Sequence, residues 1–105
     1  MTAWRRYEFL LPRHFNDGRP VPDGLFLLTI GELRSRFPAE SWETQVIEGE
    51  WMHGGTSYHD ALFRVFLDVP DTPENRDFFI RFKQVLATRF EQLDIWMTAH
   101  AVEVI

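Results

Sequence analysis

The chain has 105 residues, 45% of them apolar, and no cysteine. That is enough for one hydrophobic core and too little for two, and it excludes disulfides, thiolate nucleophiles and Cys-ligated metal or iron–sulfur sites. The formal net charge of −5 argues against a general nucleic-acid binder, which needs clustered Lys and Arg to release counterions.

The first stretch, Trp4 to Leu11, alternates, with Tyr7, Phe9 and Leu11 on one face and Arg6 and Glu8 on the other, and reads as a half-buried strand ended by Pro12. Its charges and proline do not fit a signal peptide, and the longest apolar run, Leu25 to Ile30, is interrupted by Thr29. The expectation is therefore a cytoplasmic protein with no membrane segment. From Arg13 to Gly24 the chain carries Asn-Asp-Gly, Arg-Pro and Pro-Asp-Gly, which is loop chemistry, with Asp23 placed to cap a helix entered at Leu25.

Phe26, Ile30, Leu33 and Phe37 recur at spacings of four, three and four, which predicts an amphipathic helix ended by Pro38. Gly31 inside it costs about 1 kcal/mol relative to Ala, which suggests a close approach to the sheet. Ser41 to Trp51 and Ser57 to Val69 are rich in β-branched and aromatic residues. Gly54-Gly55 between them supplies the positive backbone angles of a hairpin turn.

Pro70 and Asp71 break the second of these strands. Thr72 is a suitable cap, and Pro73 fits the first helical position, where its missing N–H has no partner to lose. Phe78, Phe79, Phe82, Val85, Leu86 and Phe90 form the apolar stripe of a second, longer helix. A last alternating segment from Asp94 puts Ile95, Met97, Ala99 and Ala101 on one face and Trp96, Thr98, His100 and Val102 on the other.

The order strand, helix, strand, strand, helix, strand over residues 1–105 points to one α+β domain, a ferredoxin-like βαββαβ sandwich with sheet order 4-1-3-2 and both helices on one face. The other face then carries Arg6, Glu8, Leu10, Tyr58, Asp60, Leu62, Arg64 and Phe66, with Trp96, Thr98 and His100 beside them. So apolar a face calls for an interface or ligand groove, and homodimerisation through it, with Arg6, Glu8, Asp60 and Arg64 as ion pairs, is the simplest occupant.

The NDGRPVP loop, the helix ending in Arg36-Phe37-Pro38, Gly49-Glu50-Trp51, and Arg89-Phe90-Glu91-Gln92 leading into the last strand together resemble a group of small bacterial ferredoxin-like proteins with no assigned activity. More loosely, the chain is similar to the dimeric α/β-barrel superfamily. What the resemblance implies is an architecture. The superfamily includes cofactor-free monooxygenases, small isomerases and haem-degrading enzymes, and no residue maps onto their sites.

The leading expectation is a self-associating binding or interaction module that takes no cofactor, has room for a small-molecule ligand, and binds neither nucleic acid nor membrane. The rival is a small cofactor-free enzyme. For that reading His100, with Tyr58 or Asp60, forms a catalytic acid–base pair, since histidine titrates near neutrality and a carboxylate would hold its tautomer. Arg6, Arg64 and Trp96 would bind the ligand. A histidine satisfied at a dimer interface is the ordinary alternative, because no nucleophile or oxyanion hole accompanies the pair.

A second alternative is a metal site at the 53–60 hairpin from His53, His59 and Asp60, joined by His100 if the last strand folds beside the first, since three imidazoles and a carboxylate suit zinc or iron. Against it, the spacing is not a ligand motif and alternation sends His59 and Asp60 to opposite faces. The RHFNDGR loop, with Arg13, His14 and Arg19, offers charges for an anion, although Asp17 opposes this and solvated loop charges are common.

Overall fold

The structure is a computed structural model that describes residues 2–37, 42–53 and 56–105, with side chains described outside 38–61. Six elements are arranged in chain order: β1 (Trp4–Pro12), α1 (Asp23–Arg36), β2 (Trp42–His53), β3 (Thr56–Pro70), α2 (Pro73–Arg89) and β4 (Met97–Val102). The chain is thus α+β, with two helices against an antiparallel sheet whose order is β2-β3-β1-β4. The register runs from Trp4↔Pro70 to Pro12↔Leu62 between β1 and β3, and from Trp4↔Val102 to Phe9↔Met97 between β1 and β4. The expected hairpin pairing is present as well, from Trp42↔Leu67 to His53↔Thr56. The Gly54-Gly55 turn lies outside the described residues.

Alternation along β1 and β3 decides which side chains enter the core. Tyr7, Phe9 and Leu11 of β1 and Val65, Leu67 and Val69 of β3 are buried, and they meet Leu33 and Phe37 from the first helical segment and Phe79, Phe82 and Leu86 from α2. Aromatic rings make up much of this layer. Tyr7 stacks on Phe79 at 4.0 Å between centroids, and Phe79 stacks in turn on Phe37 at 5.6 Å. Rings of this size dominate core energetics, and their offset and edge contacts add about 0.5–1.5 kcal/mol per pair beyond area burial.

Helix α2 begins as its sequence dictates. Thr72 caps it by accepting from the Asn75 N–H at 3.2 Å, with Pro73 in the first turn. It ends in a Schellman arrangement, where the Glu91 N–H donates to Thr88 O at 3.2 Å and the Gln92 N–H to Ala87 O at 2.8 Å. Glu91 takes the left-handed conformation this motif requires, at φ 55°.

Helix α1 departs from expectation twice. Its N-cap is Pro22, without a side-chain cap, and Asp23 sits in the first turn, where a carboxylate favours the helix dipole. Gly31 is exposed, and a methyl group there would meet nothing within 4 Å, so it does not mark a close approach to the sheet. The helices are joined by a polar clamp. Thr29, fully buried, donates to Leu25 O at 2.8 Å and accepts from Arg89 Nη1 at 2.9 Å, while Arg89 grips Glu32 bidentately at 3.0 and 2.7 Å.

The Arg13–Val21 segment folds back on itself. The Phe15 N–H donates to Arg19 O at 2.8 Å and the Gly18 N–H to Phe15 O at 2.9 Å, with Gly18 at φ 90°, the left-handed position that closes a three-residue hairpin loop. Arg19 bonds Asp17 Oδ2 at 2.5 Å, reaches Glu91 at 3.4 Å and lies 4.6 Å over the Phe15 ring. Gln92 Nε2 donates to Asn16 Oδ1 at 3.3 Å, which ties the loop to the end of α2. Arg19 is thus paired at the surface with the carboxylates of Asp17 and Glu91, while Arg13 lies over the Phe63 ring at 5.3 Å. Among the described residues, no helix is long and apolar enough to cross a membrane.

Candidate functional site

Two regions have the makings of a site, one on each side of the sheet. The first is the open face, where the register sets Arg6 beside Asp68 and Glu8 beside Phe66, with His100 opposite Arg6 on the other flank. Arg6 bonds Asp68 bidentately, Nε to Oδ1 at 2.7 Å and Nη2 to Oδ2 at 3.0 Å, and Arg64 bonds Glu8. The Phe66 ring lies between the two guanidiniums, 4.8 Å from Arg6 Cζ and 4.5 Å from Arg64 Cζ.

Each carboxylate is held below its ordinary range: Glu8 by the hydrogen bond from Arg64 and Asp68 by that from Arg6, with the charge of a protonated His100 adding to both. Arg6, Arg64 and His100, three of the sequence-predicted residues, are thus brought together. Arg6 takes Asp68 as a partner, because the register puts Asp68 opposite it.

The remaining predicted residues stand apart. Trp96 is 68% exposed, and its carbonyl accepts from the Leu10 N–H at 3.1 Å, which sets it at the far end of β4 from His100. The side chains of Tyr58 and Asp60 lie outside the described residues. Their strand register is described, however, and Asp60 lies eight residues along β3 from Asp68, roughly 26 Å at the usual rise per residue. Within one chain that separates Asp60 from the Arg6–His100 row. His53 and His59 also fall outside the described side chains, and with them the metal reading of the hairpin.

The second region is a cleft of about 460 Å³ between α2 and β4, with Tyr7 at its floor and Arg76, Lys83, Gln84 and Asp94 around it. Phe79, Ile80 and Met97 supply apolar walls. Tyr7 is only 4% exposed, and its hydroxyl is buried without a hydrogen-bond partner among the described residues. Burial pushes the Tyr7 hydroxyl above its ordinary pKa, opposed by the charge of the Arg76 guanidinium, which also lies within hydrogen-bonding reach of it. Lys83 and Asp94 face each other at 3.2 Å across one side.

Sequence reasoning placed Tyr7 in the core by alternation, correctly, and missed the cleft. The available signal was that an inward-pointing tyrosine in a strand otherwise apolar on that face needs a partner for its hydroxyl. A second, smaller cavity of about 140 Å³ under α1, lined by Leu11, Phe26, Ile30, Phe63 and Val65, is apolar throughout.

No family model matches the chain, and no curated protein does. Solved structures similar to it include a phage SAM lyase in complex with S-methyl-5'-thioadenosine, with a TM-score of 0.60 and 11% identity over 98% of this chain and 91% of that one. A phage SAM lyase in the apo state gives 0.53 and 13% over 97% and 90%. A Bacillus cereus protein related to NIF3 gives 0.50 and 7%, covering 98% of this chain and 26% of that one. At such identities the likeness is one of α+β fold.

Proposed function

We propose that the chain is a ferredoxin-like βαββαβ module that self-associates through its open sheet face and the β2–β3 ribbon, and acts as a binding module. The observation that carries the reading is the length of that ribbon. β1 pairs with β3 only from Leu62 to Pro70, whereas β2 and β3 remain paired out to His53↔Thr56. From Thr56 to Ala61, β3 has β2 as its one strand neighbour among the described residues. A two-stranded ribbon is marginally stable alone in water, and its unpaired edges are templates for another chain.

The open face suits the same role. Its charges are internally neutralised as Arg6–Asp68 and Arg64–Glu8, so a second copy meets an apolar and aromatic surface around Phe66 and Trp96 without uncompensated charge. The rival enzyme reading, with His100, Tyr58 and Asp60 as catalytic groups, would need a pocket with converging polar groups on this face. The SAM lyases show that a scaffold of this shape is compatible with small-molecule binding, one of them holding S-methyl-5'-thioadenosine. Nothing in the residues carries that activity to this chain.

Light scattering at micromolar concentration tests the reading. A dimer or larger species is expected, and Phe66→Glu, which sets a new carboxylate among Glu8 and Asp68, is expected to dissociate it. A strictly monomeric parent chain would overturn the proposal.

A further inference from the structure

The smaller cavity, between α1 and the sheet, combines a dry floor with an open side. Leu11 and Val65 below it are fully buried, whereas Phe26, Ile30 and Phe63 around it are half-buried, so the space reaches solvent on their side. Protein interiors are close-packed, and an unfilled space of about 140 Å³ leaves the atoms that line it short of partners. A cavity of ~150 Å³ lined by Leu, Ile and Phe stays dry and takes up benzene, so size and lining here suit one aromatic ring. Phe26 and Phe63 already meet edge to face at 4.8 Å, and a third ring adds contacts of the same kind.

Polarity enters beside one wall. The exposed Arg13 guanidinium lies 5.3 Å over the Phe63 ring and bonds no carboxylate among the described residues. Contact with a ring face leaves the N–H donors of a guanidinium available to an anion. Arg19, the other arginine of this loop, is held by Asp17 and Glu91. Arg13 stands at the neck of the loop, where its carbonyl accepts from the Val21 N–H at 2.9 Å, so its backbone is fixed before any ligand arrives.

We propose that the chain binds a small arylalkanoate here, its ring in the cavity between α1 and the sheet and its carboxylate on Arg13. A guanidinium offers a carboxylate two parallel N–H bonds, which fixes the direction of the ligand as well as its charge. A spacer of one or two methylenes follows from the placement, since Arg13 stacks on Phe63 from outside the lining. The cavity lies on the helix side of the sheet, so the proposal does not rest on self-association, and a monomeric chain is expected to bind equally.

The test is a titration of the isotopically labelled full chain with 3-phenylpropionate, followed through amide and methyl chemical shifts. Three partial probes accompany it: 3-phenylpropionamide keeps the shape without the charge, toluene is the ring alone, and acetate is the carboxylate alone. Saturable shifts at Leu11, Ile30 and Val65 are expected with the acid, at least about tenfold weaker binding with the amide, and none at these residues with acetate. Arg13→Gln, a change at an exposed position, should weaken the acid about tenfold, the effect of one lost hydrogen bond to a charged group, and leave toluene unchanged. Ile30→Phe, which fills the space, should abolish binding of both. The proposal is overturned if the acid does not shift the cavity residues at millimolar concentration, if the amide or acetate acts as strongly, if Arg13→Gln binds the acid unchanged, or if a folded Ile30→Phe chain binds it like the parent.

Discussion

The two faces of the sheet are made by alternate residues of the same strands, and they are held together by different physics. On the helix side, Tyr7, Phe9, Leu11, Val65, Leu67 and Val69 are each at most 4% exposed, and their cohesion comes from apolar area and ring packing. One residue out of register along β1, Arg6 and Glu8 are half-exposed and owe their order to Asp68 and Arg64. The first face resists any change of volume. The second resists change of charge only weakly, because ion pairs at such exposure contribute about 0–1 kcal/mol each. A protein built this way can alter its outer face without losing its fold, which suits a surface that meets partners.

Matched truncations are the strongest way to break this comparison. Phe9→Ala, which empties a fully buried ring position, is expected to lower the unfolding free energy by about 3–5 kcal/mol in denaturant titration. Phe66→Ala on the outer face should cost about 1–2 kcal/mol, the worth of two partly exposed cation–π contacts and some packing. Similar losses at the two positions would mean that the outer face is covered as deeply as the inner one.

A smaller effect distinguishes the faces by pH. Glu8 and Asp68 have folded-state pKa values below their unfolded ones, so the stability they contribute is fully present above the ordinary carboxylate range. It is lost as pH falls below that range and through the depressed values. The double variant Glu8→Gln with Asp68→Asn should therefore be less stable at neutral pH by about 1 kcal/mol and show a flatter acid branch. An unchanged acid branch would show that the ion pairs do not order this face.

The smallest expected change sharpens the covered side. Gly31→Ala in α1 should raise stability by about 0.5–1 kcal/mol, because the methyl group meets open space and the unfolded chain loses freedom. A loss would place Gly31 against a neighbour after all.

What was legible in the chain was the local pattern. The alternation of Tyr7, Phe9 and Leu11 and the Thr72-Pro73 start of α2 are written within a few residues, and the structure has both. The same alternation misleads in β4, where Ala99 and Ala101 share a face with buried Ile95 yet are exposed, since an edge strand that outruns its covering helix has nothing to bury against.

Features joined across long separations were not legible at all. Glu32 reads as a solvated helix charge, and only the meeting of α1 with α2 makes it the partner of Arg89, 57 residues away. At the candidate sites, Arg6 and Arg64 could be assigned to the open face, but their neutralisation by Asp68 and Glu8 depends on register. The Tyr7 cleft depends on what stands near one oxygen atom, which no spacing encodes.

The link between the Arg13–Val21 loop and the end of α2 has a dynamic consequence. Asn16 is bonded to Gln92, Arg19 reaches Glu91, and Phe15 is buried at 8% exposure, so opening the loop breaks its contacts with the last turn of the helix. Loop and helix end then form one cooperative opening unit, and the amides of Phe15, Gly18 and Val21 exchange with solvent on the clock of Gln92 rather than on that of a free surface loop. That makes the loop a distant reporter of whatever loosens or tightens α2.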